Sequence, residues 1–118
     1  MPKSHQALLI LRIAFWTGLL GVVTLSLLPI HHLPAQTSLV WDKAQHATGF
    51  IGLALMGLYA YPGRTFLLCA GLLVTGAGIE LAQQASGWRQ GDVLDLLADG
   101  LGILAGYGIW RATLLLRS

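Results

Sequence analysis

Ionisable and amide side chains gather near one end of each of two apolar segments in this sequence. Asp42, Lys43 and His46 open one segment, and Glu80 and Gln83 close the next one. Residues three or four positions apart share a helix face, which places each set on one side of its helix. Carboxylates, an imidazole and an ammonium group placed in this way can transfer protons, hold a polar ligand or pair with one another.

A third polar pattern opens the last apolar segment, after Arg89. The pattern consists of acidic residues followed by glycines at intervals of three, four, three and four: Asp92, Asp95, Asp99, Gly102 and Gly106. Such intervals predict one continuous helical face that is acidic in its first half. The second half is small enough for another helix to approach closely, either within one bundle or in a homodimer.

The chain that carries these patterns is too apolar for a soluble domain. Of its 118 residues, 55% are hydrophobic and 10% are charged, and the mean hydropathy is +0.68. A soluble domain carries about 25% charged residues. A domain of this size also leaves about a third of its extended-chain surface exposed. That surface must be largely apolar here, so the sequence predicts a single domain that is embedded in a membrane.

Four apolar segments predict helices near residues 8–29, 43–61, 65–85 and 92–116. About 18 helical residues rise about 27 Å, close to the hydrocarbon thickness of a bilayer. Pro29 and Pro34 follow the first segment, and Pro62 separates the second from the third. The first segment is longer than the apolar part of a secretion signal, so we expect it to remain as a helix. The prediction is an all-α membrane bundle of about four transmembrane helices.

Charge is distributed unevenly between the two ends of this bundle. With four helices, both termini and the link at Pro62 lie on one side, which carries five of the seven basic residues. All five acidic residues fall in the opposite half. The excess of Lys and Arg predicts cytoplasmic N and C termini, so the acidic residues lie at the external end. The basic residues form no stripe, and no nucleic-acid partner is predicted.

The depth of the acidic residues allows two interpretations. Glu80 and Asp99 lie about a turn or more inside apolar segments, where a carboxylate facing lipid costs about 2.5–3.5 kcal/mol. We therefore expect them to face protein or a wet cavity. One interpretation is a salt-bridged cap that locks helices together. The other is a binding or catalytic pocket, favoured for His46, Glu80 and Asp95 because a bundle has no structural need for inward ionisable groups.

Taken together, the three polar motifs resemble those of the VanZ-like family, small membrane proteins associated with low-level teicoplanin resistance. The motifs are Asp42-Lys43-x-x-His46, Glu80-x-x-Gln83 and Arg89-x-x-Asp92-x-x-Asp95-x-x-x-Asp99-x-x-Gly102. The resemblance covers roughly residues 25–110, with one departure, because the family pattern usually shows Asn where this sequence has Asp99. It implies a membrane protein of the bacterial cell envelope and no particular reaction. The motif residues that the resemblance singles out are Asp42, Lys43, His46, Glu80, Gln83, Arg89, Asp92 and Asp95.

Binding or assembly is the leading functional prediction. The external cluster would hold a cell-wall precursor, a glycopeptide-like ligand or a membrane-protein partner, and the chain could work as a homo-oligomer or as a subunit of a larger complex. Ser86 is the only hydroxyl near the cluster, and it lacks the Gly-x-Ser-x-Gly setting of a nucleophile.

The alternative is a membrane-embedded enzyme that acts on a lipid-linked, phosphate-bearing substrate. His46 would act as acid or base with Glu80 or Asp95, while Arg89 or Lys43 held the phosphate. The spacing contains no His-x-x-x-His or Cys signature, so no metal or cofactor is predicted. Proton-coupled transport is disfavoured, because a single polar cluster at one surface does not suit alternating access.

Overall fold

The computed structural model describes residues 4–28, 39–87 and 93–117, and of residues 39–42 it describes the backbone alone. These residues form four α-helices and no strand, which confirms the predicted all-α fold. The helices are α1 (His5–Leu27), α2 (Leu39–Ala60), α3 (Thr65–Ser86) and α4 (Val93–Arg117). Helix α1 begins before the apolar segment does because the Ser4 hydroxyl caps it, accepting a hydrogen bond from the Ala7 amide at 3.1 Å.

A tight turn joins α2 to α3. The Tyr61 amide still donates to the Gly57 carbonyl at 2.9 Å, and the Arg64 amide donates back to the Tyr61 carbonyl at 3.2 Å. Between them Gly63 adopts a φ of +83°, a left-handed conformation that glycine reaches without steric cost. The turn reverses the chain within four residues, so α2 and α3 are antiparallel neighbours.

Helices α1, α3 and α4 are long and apolar enough to cross a membrane. Their outward faces carry large apolar side chains, with Phe66 and Leu116 more than four-fifths exposed. Such a surface is unfavourable in water and suits a lipid environment. The composition of α2 does not meet the same standard, because polar residues such as Lys43 and His46 occupy its first turns. The fold agrees with a membrane protein.

Helix α2 is the inner helix of the bundle. Phe50, Leu53, Ala54 and Leu58 are all nearly inaccessible, and they follow one another at helical intervals along α2. The apolar core combines three of them with residues of the other three helices: Phe50, Leu53 and Ala54 with Phe15, Leu72, Ile79 and Ile103. The core therefore surrounds α2, while the neighbouring helices turn their own apolar faces outward.

Helix α4 lies along α2 with its small-residue face turned inward. A Cβ atom on Gly102 would overlap the carbonyl oxygen of Ala47, and one on Gly106 would lie 2.7 Å from the Cβ of Ala54. Because a backbone carbonyl cannot move aside as a flexible side chain can, these glycines set how closely the two helices approach. The small-residue face thus serves packing within the bundle.

Candidate functional site: a buried polar cluster at one end of the bundle

The register of the helices brings the polar motifs to one end of the bundle. Helices α2 and α4 run parallel, since Lys43 contacts Asp95 near their first turns and Tyr59 contacts Thr113 near their last. Helix α3 runs antiparallel to both, so its last turns reach the same end. We call the ionisable side chains gathered there the polar cluster: Lys43, His46, Glu80, Asp95 and Asp99.

The outer part of the polar cluster is an ion pair between α2 and α4. Lys43 Nζ lies 3.2 Å from Asp95 Oδ1. The lysine side chain is 24% exposed and the carboxylate 3% exposed. A partly exposed lysine therefore pairs with a buried aspartate. Asp95 needs such a partner, because a buried carboxylate without one is strongly destabilising.

The inner part is a hydrogen bond between an imidazole and a carboxylate. His46 Nδ1 lies 3.0 Å from Asp99 Oδ1, and the side chains are 7% and 1% exposed. An ionised carboxylate can only accept a hydrogen bond, so Nδ1 carries the proton when Asp99 is ionised. A carboxylate in this position orients the ring. Asp99 is therefore an acid that positions His46.

Gly76 of α3 makes room for the inner pair, although none of the three polar sequence motifs includes it. A Cβ atom at Gly76 would lie 2.7 Å from Asp99 Oδ2. Any other residue here would push the carboxylate away from His46. The signal was present in the sequence, because Gly76, Glu80 and Gln83 follow at intervals of four and three along one face of α3.

Glu80 and Gln83 lie on that face of α3, closer to the bundle end. Since Gly76 is level with Asp99 and the helices are antiparallel, Glu80 is about level with Asp95, about 6 Å nearer the end. Glu80 is 7% exposed. Gln83 is 1% exposed and makes a different contact, donating from Nε2 to the carbonyl oxygen of Ser26 in α1 at 2.8 Å. Gln83 therefore links α3 to α1.

Three further predicted site residues fall on less fully described parts of the chain. Asp42 lies in the first turn of α2, where only the backbone is described. Arg89 and Asp92 lie outside the described residues. The described part of the predicted site is the polar cluster, which holds three carboxylates and two basic side chains.

The side chains of the polar cluster can bind a polar ligand and transfer protons. Within residues 4–28, 43–87 and 93–117, no group of three or more His, Cys, Asp or Glu is arranged to hold a metal ion. Ser86 donates from its hydroxyl to the Gln83 carbonyl at 2.8 Å, a contact that secures the last turn of α3. Gln83 Oε1 is a buried acceptor without a hydrogen-bond partner among the described residues.

Fold and site together define a class of protein: a small helical bundle with membrane-compatible outer helices and an ionisable cluster buried at one end. No known protein family, curated protein or solved structure matches the chain.

Proposed function

We propose that this chain is a multi-pass protein of the bacterial cytoplasmic membrane that resembles VanZ and binds an envelope ligand through the polar cluster. The ligand would be a cell-wall precursor, a glycopeptide-like molecule or a partner membrane protein. One observation carries the proposal: three helices of an otherwise apolar bundle bring five ionisable side chains to one end.

Energetics favour a binding role over a purely structural cap. Removing charges from water costs several kcal/mol per ion, and replacing a buried ion pair by apolar residues is often neutral or stabilising. A cap would need pairs only at the helix ends, where Lys43 meets Asp95. The His46–Asp99 pair lies deeper, with Asp99 only 1% exposed. A polar pair at that depth is a costly way to join helices and a reasonable way to build a ligand site.

Contacts along α1 support α2 as a fourth membrane-spanning helix. Val22 of α1 faces Gly49 of α2, and the Arg12 side chain donates to the Ala60 carbonyl at 2.9 Å. The two helices are therefore antiparallel neighbours along the stretch between these contacts. If α1 crosses the bilayer, α2 crosses the same thickness beside it, shielded from lipid by the surrounding helices.

Charge supports an orientation with both termini in the cytoplasm. Among the described residues, the arginines lie toward the end of the bundle that holds the termini and the α2–α3 turn: Arg12, Arg64, Arg111 and Arg117. The acids of the polar cluster lie at the other end. By the positive-inside rule the polar cluster then opens toward the cell exterior, where wall precursors and glycopeptides are found.

An enzymatic role is the second candidate, and the His46–Asp99 hydrogen bond is the observation that favours it. A carboxylate that orients an imidazole is a common arrangement for general acid–base catalysis. In a membrane enzyme of this kind, His46 would accept a proton from water as the water oxygen attacks the phosphorus of a lipid-linked phosphate, while Lys43 held the phosphate oxygens. The bond between phosphorus and the leaving oxygen would break, and His46 would return the proton to that oxygen. Binding as a subunit of a larger complex would use the same residues.

The test of the binding proposal is the double variant His46→Ala with Glu80→Gln, expressed in a susceptible bacterium. The variant must first insert and purify like the parent. We then expect loss of teicoplanin tolerance, or of a lipid-linked wall precursor that copurifies with the protein. Arg111→Gln is the matched control, because it removes a charge from the other end of α4 and should change neither readout.

If the double variant folds and both readouts are unchanged, the polar cluster is a structural cap and the binding proposal is wrong. Should the double variant fail to fold, Glu80→Gln alone replaces it, since this change keeps the shape of the side chain and removes only its charge. Turnover of a lipid-linked phosphate that requires His46 would favour the enzyme instead.

A further inference from the structure

A cavity of about 780 Å³ lies between α1 and α3, at the end of the bundle opposite to the polar cluster. Its volume is that of a site for a sizeable organic ligand. Its walls are mainly apolar and aromatic, with Phe15, Trp16 and Leu19 on α1 and Leu67, Leu68 and Leu72 on α3. We call this space the α1–α3 groove.

Two arginines stand at the mouth of the α1–α3 groove. Arg12 is held in place, since its Nε donates to the Ala60 carbonyl at 2.9 Å and its guanidinium lies 4.6 Å from the centre of the Tyr61 ring. The terminal amino groups of Arg12 remain as donors, because a guanidinium has five N–H groups. Arg64 lines the same mouth and is exposed. The mouth is therefore basic while the interior is apolar.

The first turn of α3 adds to the positive character of this mouth. Arg64 occupies the N-cap position, and its side chain makes no capping hydrogen bond. The first amide groups of a helix have no acceptor within the helix, and the helix dipole places partial positive charge there. Two guanidinium groups and the start of a helix thus converge at one membrane surface.

We propose that the α1–α3 groove binds an anionic phospholipid, with its phosphate at Arg12 and Arg64 and one acyl chain between α1 and α3. The basic mouth matches the phosphate, and the apolar walls match a hydrocarbon chain. Basic pockets between transmembrane helices on the cytoplasmic side are known to take anionic headgroups. This site is separate from the polar cluster and does not depend on the role of that cluster.

A second copy of the chain fits the α1–α3 groove less well than a lipid does. A two-fold contact across the groove would bring Arg12 and Arg64 of both copies together. Like charges so close in a low-dielectric environment repel strongly. The phosphate of an anionic lipid attracts Arg12 and Arg64 instead. The surrounding bilayer also supplies such a lipid at high local concentration.

Gly71 offers a way to fill the groove without disturbing the bundle. It lines the groove, and a Cβ atom built on it would meet nothing within 4 Å. Gly71→Leu therefore places a side chain into the space proposed for the acyl chain. Gly78 of α3 is the matched control, because a Cβ atom there also meets nothing within 4 Å and the residue does not line the groove.

The experiment titrates detergent-purified protein with phosphatidylglycerol or phosphatidylcholine of the same acyl chains and counts bound lipid by native mass spectrometry. We expect the parent to prefer phosphatidylglycerol. Arg64→Gln should weaken retention of phosphatidylglycerol about fivefold, and Gly71→Leu should abolish it. Arg111→Gln and Gly78→Leu should bind like the parent.

Three results would overturn the proposal. One is equal retention of the two lipids by the parent, which would remove the role of the arginines. Another is parental binding by both Arg64→Gln and Gly71→Leu. The last is a parent that purifies as a dimer and becomes monomeric with Gly71→Leu, which would assign the groove to a second copy of the chain.

Discussion

At the residue scale, the hydrogen bond between His46 and Asp99 lies farther from the end of the bundle than the ion pair between Lys43 and Asp95 does. We predict that Asp99→Asn keeps most of the stability, because the amide oxygen of Asn can still accept from His46 Nδ1 at the same position. Asp99→Ala removes the acceptor and leaves the imidazole buried without it. We expect Asp99→Ala to cost about 1–3 kcal/mol more than Asp99→Asn.

Unfolding of the purified variants in mixed micelles with increasing denaturing detergent measures this difference. The comparison also bears on the VanZ-like pattern, in which Asn usually stands at this position. Equal losses of stability for the two variants would mean that the hydrogen bond to His46 contributes nothing, and that the contact is a result of packing alone. A large loss of stability for Asp99→Asn would show that the negative charge itself is required, because Asn keeps the acceptor oxygen and removes only the charge.

At the scale of the helices, the close approach of α2 and α4 determines which polar residues meet. Gly102→Ala would drive a Cβ into the carbonyl oxygen of Ala47. The helices would have to separate, and overpacking of this kind typically costs about 1–3 kcal/mol. Gly108→Ala is the control on the same helix, because a Cβ there meets nothing within 4 Å. It should be neutral or stabilise by up to about 1 kcal/mol through helix propensity.

The same micelle unfolding experiment, run on both glycine variants, checks this prediction. Separation of α2 from α4 should also loosen the pair between Lys43 and Asp95, so Gly102→Ala is expected to reduce any ligand binding by the polar cluster. Parental stability of Gly102→Ala would contradict the packing described here, and it would return the small-residue face to the alternative of a homodimer contact.

The spacing of residues along each helix predicted much of the fold and the membership of the polar cluster. Four helices follow from apolar length and from the prolines and glycines between them. The pairing within the cluster did not follow, because it depends on the relative height of two helices. Gly102 lies against Ala47 at the relative height that brings His46 to Asp99. Intervals along one helix carry no information about its height beside another.

The α1–α3 groove was missed for a related reason. Arg12 and Arg64 are 52 positions apart in the sequence, and each taken alone indicates only orientation in the membrane. Their meeting depends on the tight turn at Gly63, which brings the start of α3 beside α1. A space between helices is a property of their packing, and sequence periodicity describes one helix at a time.

At the scale of the whole molecule, the two ends of the bundle are chemically opposite. One end buries carboxylates with His46 and Lys43, and the other presents Arg12 and Arg64 around an apolar groove. A helical bundle with an apolar belt between such ends has a defined direction across a bilayer. The lipid proposed for the groove and the ligand proposed for the polar cluster would then be bound from opposite sides of the membrane.

Cysteine labelling tests that direction and the number of spans together. In a Cys69→Ser background, single cysteines replace His5, Pro62 or Gln84, all of which are exposed. With four spans and cytoplasmic termini, a membrane-impermeant maleimide applied to spheroplasts should label only Gln84→Cys, and lysis should make all three reactive. The argument rests on topology alone, because Gln84 ends the third crossing while His5 and Pro62 begin the first and third.

Each wrong assumption gives its own labelling pattern. If α2 does not cross the bilayer, Pro62 lies outside and Gln84 inside, so Pro62→Cys is labelled and the other two are not. If the orientation is reversed, His5→Cys and Pro62→Cys are labelled together and Gln84→Cys is protected. The second pattern would keep the four-span bundle and move the polar cluster to the cytoplasm, where an extracellular glycopeptide cannot be its ligand.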